Sequence, residues 1–406
     1  MWKLLLLVFS SALALEAVPN GLLSEDTPEN RAALEYVHRR LGEFKALKNE
    51  ESGWQTENQS QPESKQSRNS TSHEITHINA NVSDYLYEGD IMLTPQEADN
   101  LLSSRPKRQA IRDLGMHWPN NYIPYWFDPS IDSRVRGMIR QAMDYWEKQT
   151  CLQFREDYSR HFIRIFKGEG CWSMVGYATA APNSRYQDFS IGEECGHVSQ
   201  STNAGLVDYR LQIAIIAHEV GHALGFYHEQ SRTDRNQYVS IQMNLVKQGQ
   251  GHNFALQNAF SYNMPYDYGS LMHYAENDFA YDDKSIVMTA LDGRHQQTMG
   301  ERIAPSFYDV QMMNTHYRCH DLCAKHNTTC YYGGYRNSKN CNECICPWGF
   351  GGKNCERRHE GNNNMAVCGS NLFAAAELKN LSITMGQYRT QKAQHDHCHW
   401  HIWVDR

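Results

Sequence analysis

The segment HEVGHALGFYH, which begins at His218, constrains this chain more than any other part of its sequence. It continues an apolar, alanine-rich stretch over residues 211–224, which predicts a buried helix. Helical spacing of four residues places His218 and His222 on one face, where two imidazoles can bind one metal ion. Gly225 permits a sharp turn because glycine accepts positive φ values, and this turn can bring His228 to the same ion. The spacing therefore predicts a site with three histidine ligands.

Three neutral nitrogens leave one position on a Zn²⁺ ion open, which is typical of a catalytic rather than a structural site. Glu219 adjoins the first histidine, so its carboxylate can reach a water molecule on the metal without binding the metal. Zinc polarises the scissile carbonyl and lowers the pKa of that water to ~7. Glu219 would take its proton and later deliver one to the leaving amine. The predicted reaction is hydrolysis of a peptide bond, with one zinc ion per catalytic domain. The alternative interpretation of the histidine pattern is a core helix with scattered histidines.

The similarity to a known family extends beyond this helix. The sequence HEVGHALGFYHEQSRTDR, residues 218–235, resembles the astacin family of zinc endopeptidases, which belongs to the metzincins. The sequence SLMHY, residues 270–274, resembles the Met-turn of that family. The resemblance implies that Met272 underlies the metal site. It also implies that Tyr274 is a further zinc ligand that swings away to stabilise the tetrahedral intermediate; a packed core tyrosine is the alternative.

Two acidic residues have roles that the resemblance implies. Glu229 would be tied to the N-terminus that propeptide removal creates, here Gln109, whose cyclisation would remove the positive charge. The sequence YEGD, residues 87–90, is similar to the family's F-x-G-D motif with tyrosine in place of phenylalanine. The resemblance implies that Asp90 takes the open zinc position and keeps the zymogen latent; a plain Gly-Asp turn is the alternative.

The N-terminal region is expected to direct export and then to be removed. Residues 1–14 combine one lysine, a short apolar run and small residues, which is typical of a secretory signal rather than of a buried helix. Residues 15–108 form the predicted propeptide, of which residues 48–72 are too polar to bury a core. The basic sequence RPKR, residues 105–108, predicts cleavage after Arg108 by a furin-like processing protease. We therefore expect a secreted, extracellular protein.

Export makes disulfides the expected state of the twelve cysteines. The resemblance pairs Cys151 with Cys319 and Cys171 with Cys195. Six more cysteines crowd residues 323–355 around a Gly-Phe-Gly sequence, which resembles an EGF-like module over residues 320–357. Cys346–Cys355 is the predicted pair there, the other connections stay open, and a zinc ribbon is the alternative.

Residues 368–406 resemble the opening of a CUB domain, including its first disulfide, Cys368–Cys398. The segment holds about a third of such a domain, so its strand edges would stay unpaired and we expect no stable sandwich. The run HDHCHWH, residues 395–401, places four histidines on one face if it is extended, which permits incidental metal binding.

The remaining patterns predict an α+β catalytic domain over residues 109–319. Residues 123–127 and 162–166 are predicted strands, and residues 132–149 carry apolar side chains at helical spacing. The resemblance implies a two-lobed metzincin domain with the zinc in the cleft, followed by the EGF-like module and the incomplete all-β CUB segment.

One segment departs from the family pattern. Cys195 lies farther from His218 than the matching cysteine does in the family, and removing Val198–Gln212 restores the spacing. We interpret this segment as a retained intron or a gene-model error, with a genuine surface insertion as the alternative; sequencing the transcript distinguishes them. A second departure is Ala214, where the family usually has glycine.

The net charge of −7 argues against nucleic acid as the main partner, and no window after the N-terminus is apolar enough to span a membrane. The expected function is that of a secreted zymogen that hydrolyses extracellular proteins, and the resemblance to nematode astacins suggests matrix, cuticle or eggshell turnover. The alternative is a catalytically silent, matrix-binding protein. Glycosylation is possible at five sequons: Asn58, Asn69, Asn81, Asn327 and Asn380.

Overall fold

The computed structural model describes residues 18–51, 75–103, 116–178, 184–196, 209–257, 259–282, 284–360, 369–374, 380 and 398–404. The helices are α1 (Pro28–Glu51), α2 (Ile75–Ile78), α3 (Pro95–Leu101), α4 (Ser133–Glu147), α5 (Glu193–Gly196), α6 (Tyr209–Ala223) and α7 (Phe307–His316). The strands are β1 (Tyr122–Phe127), β2 (Gln153–Glu156), β3 (Phe162–Phe166), β4 (Cys171–Ser173), β5 (Tyr186–Ile191), β6 (Val239–Ile241), β7 (Met288–Ala290), β8 (Tyr335–Asn337), β9 (Asn340–Ile345), β10 (Phe350–Gly351), β11 (Arg357–Arg358), β12 (Asn371–Phe373) and β13 (His401–Trp403). Within these ranges, no helix has the length and apolar character needed to cross a membrane.

A five-stranded sheet with the order β2-β1-β3-β5-β4 forms the upper part of the molecule. The first four strands run parallel, and β4 pairs antiparallel with β5 at one edge. β1 and β3 form at the two segments that the sequence predicts. Their side chains are buried along nearly the whole strand, which is expected of parallel strands covered on both faces.

Helices α4 and α6 pack together in the core of this upper part. Asp132 caps α4 because its side chain accepts a hydrogen bond from Val135 N at 2.9 Å. α6 is apolar on nearly every side and is buried from Gln212 to Ala223. The Trp146 indole of α4 donates a hydrogen bond to Ala217 O of α6 at 2.9 Å, which joins the two helices. The upper part therefore surrounds α6, which carries His218 and His222, with buried side chains.

The lower part contains a second apolar cluster and little regular structure. This cluster includes Val239 of β6, Met288 of β7, Phe254 and Tyr274. α7 begins with a capping box in which Ser306 and Asp309 each bind the other's backbone N–H. The chain then returns to the upper part, where Cys319 bonds to Cys151.

The N-terminal segment, residues 18–103 with 52–74 outside the described residues, packs on both parts. Leu41 and Phe44 of α1 bury their side chains with Tyr87, Ile91 and Val175. The backbone from residue 90 to residue 92 runs parallel to the free edge of β4: Ser173 N donates to Asp90 O at 3.1 Å, and Met92 N donates to Ser173 O at 2.9 Å. This segment therefore extends the sheet beyond β4.

Disulfides hold the upper part and the region that follows α7. The structure contains the three disulfides Cys151–Cys319, Cys171–Cys195 and Cys346–Cys355 that were expected, and also Cys323–Cys341 and Cys330–Cys344. Because Cys344 and Cys346 are both in disulfides, the zinc-ribbon alternative is wrong. Strands β12 and β13 pair in parallel. Cys368, the expected partner of Cys398, lies outside the described residues.

Several predictions fall on residues that are not described. These are the signal at residues 1–14, the processing site at Arg105–Arg108, the sequons at Asn58 and Asn69, and residues 198–208 of the extra segment before α6. The last four residues of that segment, 209–212, form the first turn of α6.

Candidate metal centre

Helix α6 ends two residues before Gly225, the glycine on which the three-histidine arrangement depends. Gly225 adopts φ +107°, a left-handed conformation that favours glycine, and its N–H donates to His222 O at 2.7 Å. A Cβ atom at this position would lie 2.9 Å from His316 Nε2. The turn therefore needs glycine both for its backbone conformation and for space, and it directs His228 back towards the helix.

The structure brings the three predicted histidines together with Asp90. Asp90 Oδ2 lies 3.2 Å from Nε2 of His218 and 3.2 Å from Nε2 of His228, and Asp90 Oδ1 lies 3.4 Å from Nε2 of His222. One ligand atom from each of these four buried residues lies within 4.8 Å of the others, as in a metal-binding group. Asp90 Oδ1 has no hydrogen-bond partner among the described residues. Three imidazole nitrogens and one carboxylate are a donor set that suits Zn²⁺.

The outer nitrogens of the histidines are also held. His218 Nδ1 lies 2.8 Å from Leu271 O, and His222 Nδ1 lies 2.7 Å from Phe226 O. His228 Nδ1 instead lies 2.8 Å from the Glu88 carboxylate of the N-terminal segment. A proton on Nδ1 of His222 and of His228 leaves Nε2 free to bind a metal, so at these two residues the contacts favour the ligating tautomer. Two of the three partners are backbone atoms, which no sequence pattern can identify.

Glu219 lies beside this group without joining it. Its side chain is fully buried, and neither of its carboxylate oxygens has a hydrogen-bond partner among the described residues. Burial, together with the nearby Asp90 carboxylate, raises the pKa of Glu219 well above its usual range, and Arg302 partly opposes this shift. An unpaired carboxylate in a dry site is a strong proton acceptor.

Met272 and Tyr274 lie close to the site. Met272 packs under α6, where a Cβ atom on Gly221 would lie 2.6 Å from its sulfur. The Tyr274 ring lies 4.5 Å from the His228 ring, centroid to centroid. Its hydroxyl donates a hydrogen bond to Glu88 O.

Glu229 follows the third histidine and is held within the fold. Its carboxylate accepts hydrogen bonds from Arg232 Nη1 and from Asp267 N, both at 2.9 Å. Burial raises the pKa of Glu229 to about 8 despite the Arg232 guanidinium. Gln109, the expected N-terminal partner, lies outside the described residues.

Two residues at the site were not assigned a role by the sequence. Arg302 is buried, and its Nη1 atom lies 2.7 Å from His218 Nδ1 and 3.4 Å from Leu271 O. Burial lowers the pKa of His218, and the Arg302 charge lowers it further, so the imidazole stays neutral. A single arginine distant in sequence gives no signal of this role. Glu88 does lie inside the YEGD motif, but the resemblance assigns a role only to the aspartate of that motif.

Comparison with known proteins relates this sequence to zinc metalloproteinases. Residues 110–318 match the family described as Astacin (Peptidase family M12A). Zinc metalloproteinase nas-27 of Caenorhabditis elegans is 35% identical over 334 residues, which cover 79% of this chain and 71% of that protein. Zinc metalloproteinase nas-36 of Caenorhabditis briggsae is 36% identical over 316 residues, which cover 75% of this chain and 48% of that protein. This chain therefore spans only part of the length of these relatives.

One solved structure with detectable similarity is high choriolytic enzyme 1, a hatching enzyme zinc-protease from Oryzias latipes. Its TM-score is 0.42 at 27% identity, with 50% of this chain and 92% of that chain covered.

Proposed function

The chain belongs to the astacin family of zinc metalloproteases, and from this we propose that it is a secreted endopeptidase, made as a zymogen, with Glu219 as its general base. The observation that carries the proposal is the convergence of three histidine Nε2 atoms and the Asp90 carboxylate within 4.8 Å. His218, His222 and His228 would hold the zinc ion.

Glu219 is the group that would move protons. When bound, zinc supplies Lewis acidity, which polarises a peptide carbonyl and makes water a stronger acid. Glu219 would then accept a proton from the attacking water and deliver it to the leaving nitrogen. Burial raises the pKa of Glu219, which makes its carboxylate a stronger proton acceptor and supports this assignment.

Tyr274 would stabilise the negative charge that develops on the carbonyl oxygen. In the structure its hydroxyl donates to Glu88 O. Removal of the N-terminal segment would free this donor in a buried, water-poor site, where a hydrogen bond to an oxyanion is most effective.

Latency would come from residues 87–93 of the N-terminal segment. Asp90 approaches all three histidines, so its carboxylate would fill the open metal position and exclude water. The same residues occupy the backbone edge of β4 through two hydrogen bonds at Ser173. Their removal would free both the metal position and a strand edge to which an extended peptide substrate can add.

The cellular context that we propose rests on the sequence. A signal over residues 1–14 and cleavage after Arg108 by a furin-like protease would deliver an active extracellular enzyme. The described sequons are exposed, which is compatible with glycosylation: Asn81, Asn327 and Asn380. The substrates would be extracellular proteins, and the disulfide-rich region over residues 320–357, which we interpret as EGF-like, would contribute to their recruitment.

Activity of the processed chain tests this proposal. The full precursor, cleaved after Arg108 by a furin-type protease, should hydrolyse casein, and a chelator should abolish hydrolysis until zinc is added back. Glu219→Ala should lose activity while it keeps zinc, and Glu343→Ala, which changes an exposed glutamate, should stay fully active. A processed, zinc-loaded chain that cleaves nothing would favour the alternative of a silent matrix-binding protein.

A further inference from the structure

We propose that Glu88 is a positioning residue that increases the zinc affinity of the precursor by binding the outer nitrogen of His228, and that this stabilisation is lost when the N-terminal segment is removed. This inference rests on the proposed function, since it assumes that zinc binds at the three histidines and that the segment is cleaved. It concerns Glu88 and not the metal-facing carboxylate of Asp90.

The outer nitrogens of the three histidines have partners of different origin. His218 and His222 contact the carbonyl oxygens of Leu271 and Phe226, which remain after cleavage. His228 Nδ1 contacts Glu88 Oε2 at 2.8 Å, and Glu88 would leave with the propeptide. A carboxylate that accepts from the outer N–H of a metal-bound histidine makes that histidine a stronger ligand. Among the three histidines, only His228 therefore depends on the N-terminal segment for the partner of its outer nitrogen.

The local backbone presents Glu88 and Asp90 to the same imidazole. Tyr87 and Ile91 exchange two backbone hydrogen bonds, of 2.9 and 3.0 Å, which close a tight turn. Within this turn Glu88 adopts φ +48°, which is uncommon for a residue with a side chain, and Gly89 adopts φ +84°. Strained conformations of this kind persist where the surrounding contacts hold them. The turn holds His228 between two carboxylates, with Asp90 at Nε2 and Glu88 at Nδ1.

The burial of Glu88 argues that this contact is its main interaction. The side chain is fully buried, and its second oxygen, Oε1, has no hydrogen-bond partner among the described residues. A buried carboxylate is costly unless a positive or strongly polarised partner compensates it. The His228 N–H becomes such a partner when a zinc ion is bound at Nε2. Metal binding and the burial of Glu88 therefore stabilise each other.

Zinc affinity of the uncleaved precursor tests the inference. The dissociation constant is measured by competition with a chelating dye for the wild type, Glu88→Gln and Glu88→Met. Gln keeps a weaker, neutral acceptor and Met keeps none, so affinity should fall in the order Glu, Gln, Met, by about 10- to 100-fold in total. Glu97→Gln is the matched control, since Glu97 Oε1 is also buried in this segment but its carboxylate caps α3.

The outcomes separate this inference from the proposed function. Cleavage after Arg108 removes residue 88, so every variant should yield a mature enzyme with the same activity and the same zinc affinity. That affinity should be lower than the affinity of the wild-type precursor. Equal zinc affinity of the wild-type and Glu88→Met precursors would overturn the inference, and so would an equal loss in Glu97→Gln. Neither result would affect casein hydrolysis by the mature chain, which tests the proposed function.

Discussion

Two buried glutamates flank the metal-binding group, and they differ in how their charge is compensated. Both oxygens of Glu219 lack a hydrogen-bond partner among the described residues, whereas Glu229 accepts from Arg232 and from the Asp267 backbone. An unpaired buried carboxylate destabilises the folded state, whereas removal of a hydrogen-bonded one leaves its donors without an acceptor. Neutralising Glu219 and truncating Glu229 should therefore have opposite effects on stability.

We expect Glu219→Gln to raise the thermal stability of the metal-free precursor and to reduce the activity of the processed enzyme by at least about 10²-fold, because it removes both the unpaired charge and the general base. Glu229→Ala should instead lower stability, by about 1–3 kcal/mol, because Arg232 Nη1 and the Asp267 N–H would lose the acceptor that they share. Thermal and urea unfolding measure both changes. A loss of stability in Glu219→Gln comparable to that in Glu229→Ala would contradict the assignment.

Asp188 gives the precursor a specific dependence on pH. Its carboxylate is buried under the N-terminal segment, where it accepts a hydrogen bond from Ser24 N at 3.4 Å and another from the Ser24 hydroxyl. Burial raises the pKa of Asp188 to about 6, although the Ser24 hydrogen bonds and the Arg164 charge oppose the shift. In the unfolded chain the pKa of an aspartate is about 3.9. Between these values the folded precursor binds more protons than the unfolded chain, so the contribution of Asp188 to stability falls as pH rises.

We therefore expect the stability of the Asp188→Asn precursor to increase relative to that of the wild-type precursor as pH increases from 4 to 7. The change should be on the order of 1–3 kcal/mol in the free energy of unfolding and should be concentrated below about pH 6.5. Urea unfolding of both precursors at several pH values measures it. Parallel stability curves for the two proteins would show that Asp188 titrates normally in the precursor.

At the scale of elements, the sequence predicts those segments whose own periodicity determines their structure. α4 and α6 have apolar side chains at helical spacing or on all sides, and β1 and β3 are short apolar runs rich in aromatic and β-branched residues. β4 is only three residues long and exists because its neighbours β5 and residues 90–92 bind its backbone. Such strands depend on tertiary contacts rather than on local pattern.

The residues of the metal site divide in the same way, into those that local spacing predicts and those that depend on tertiary contacts. Spacing along α6 and the glycine turn predict the three histidines and Glu219, because one helix and one turn determine their positions. The contacts of Arg302 and Glu88 with His218 and His228 join residues more than 80 positions apart in the sequence. These contacts depend on how separate elements pack, so no local spacing predicts them.

The turn that follows α6 should tolerate no side chain at Gly225. Alanine there would need an unfavourable positive φ and would push against His316, so we expect Gly225→Ala to lose about 1–3 kcal/mol of stability and to weaken zinc binding. Gly249→Ala is the matched control, because Gly249 adopts φ +81° with no atom within 4 Å of an added Cβ. Gly249→Ala should lose only the stability that the positive φ costs, about 1 kcal/mol, and its zinc affinity should not change. Equal zinc affinity in both variants would contradict the role of this turn in placing His228.

At the scale of the whole molecule, the N-terminal segment shares apolar clusters with the region that matches the astacin family, residues 110–318. One cluster joins Leu22 and Leu34 of the segment to Phe166, Trp172 and Met174. The cluster around Leu41 joins the segment to Val175. Removal of the segment would expose these apolar surfaces to water. The precursor should therefore be more stable than the mature enzyme, since docking of α1 and closure of the site are parts of one packing arrangement.

This coupling predicts that a change far from the metal should weaken latency. Leu41 is fully buried on α1 and packs in the same cluster as Tyr87 and Ile91, which close the turn that carries Asp90. We expect Leu41→Ala to destabilise the precursor by about 2–5 kcal/mol. Basal casein hydrolysis by the uncleaved precursor should rise at the same time, because the turn would leave the site more often.

Leu47→Ala is the matched control, since Leu47 lies on the same helix and is 48% exposed. Urea unfolding and basal activity of the two uncleaved precursors measure both effects, and the mature enzymes should be indistinguishable because cleavage removes both positions. If Leu41→Ala loses stability without any gain in basal activity, then residues 87–93 hold the site independently of α1. If both properties change together, α1 acts on the zinc site through the apolar cluster that Leu41 shares with Tyr87 and Ile91.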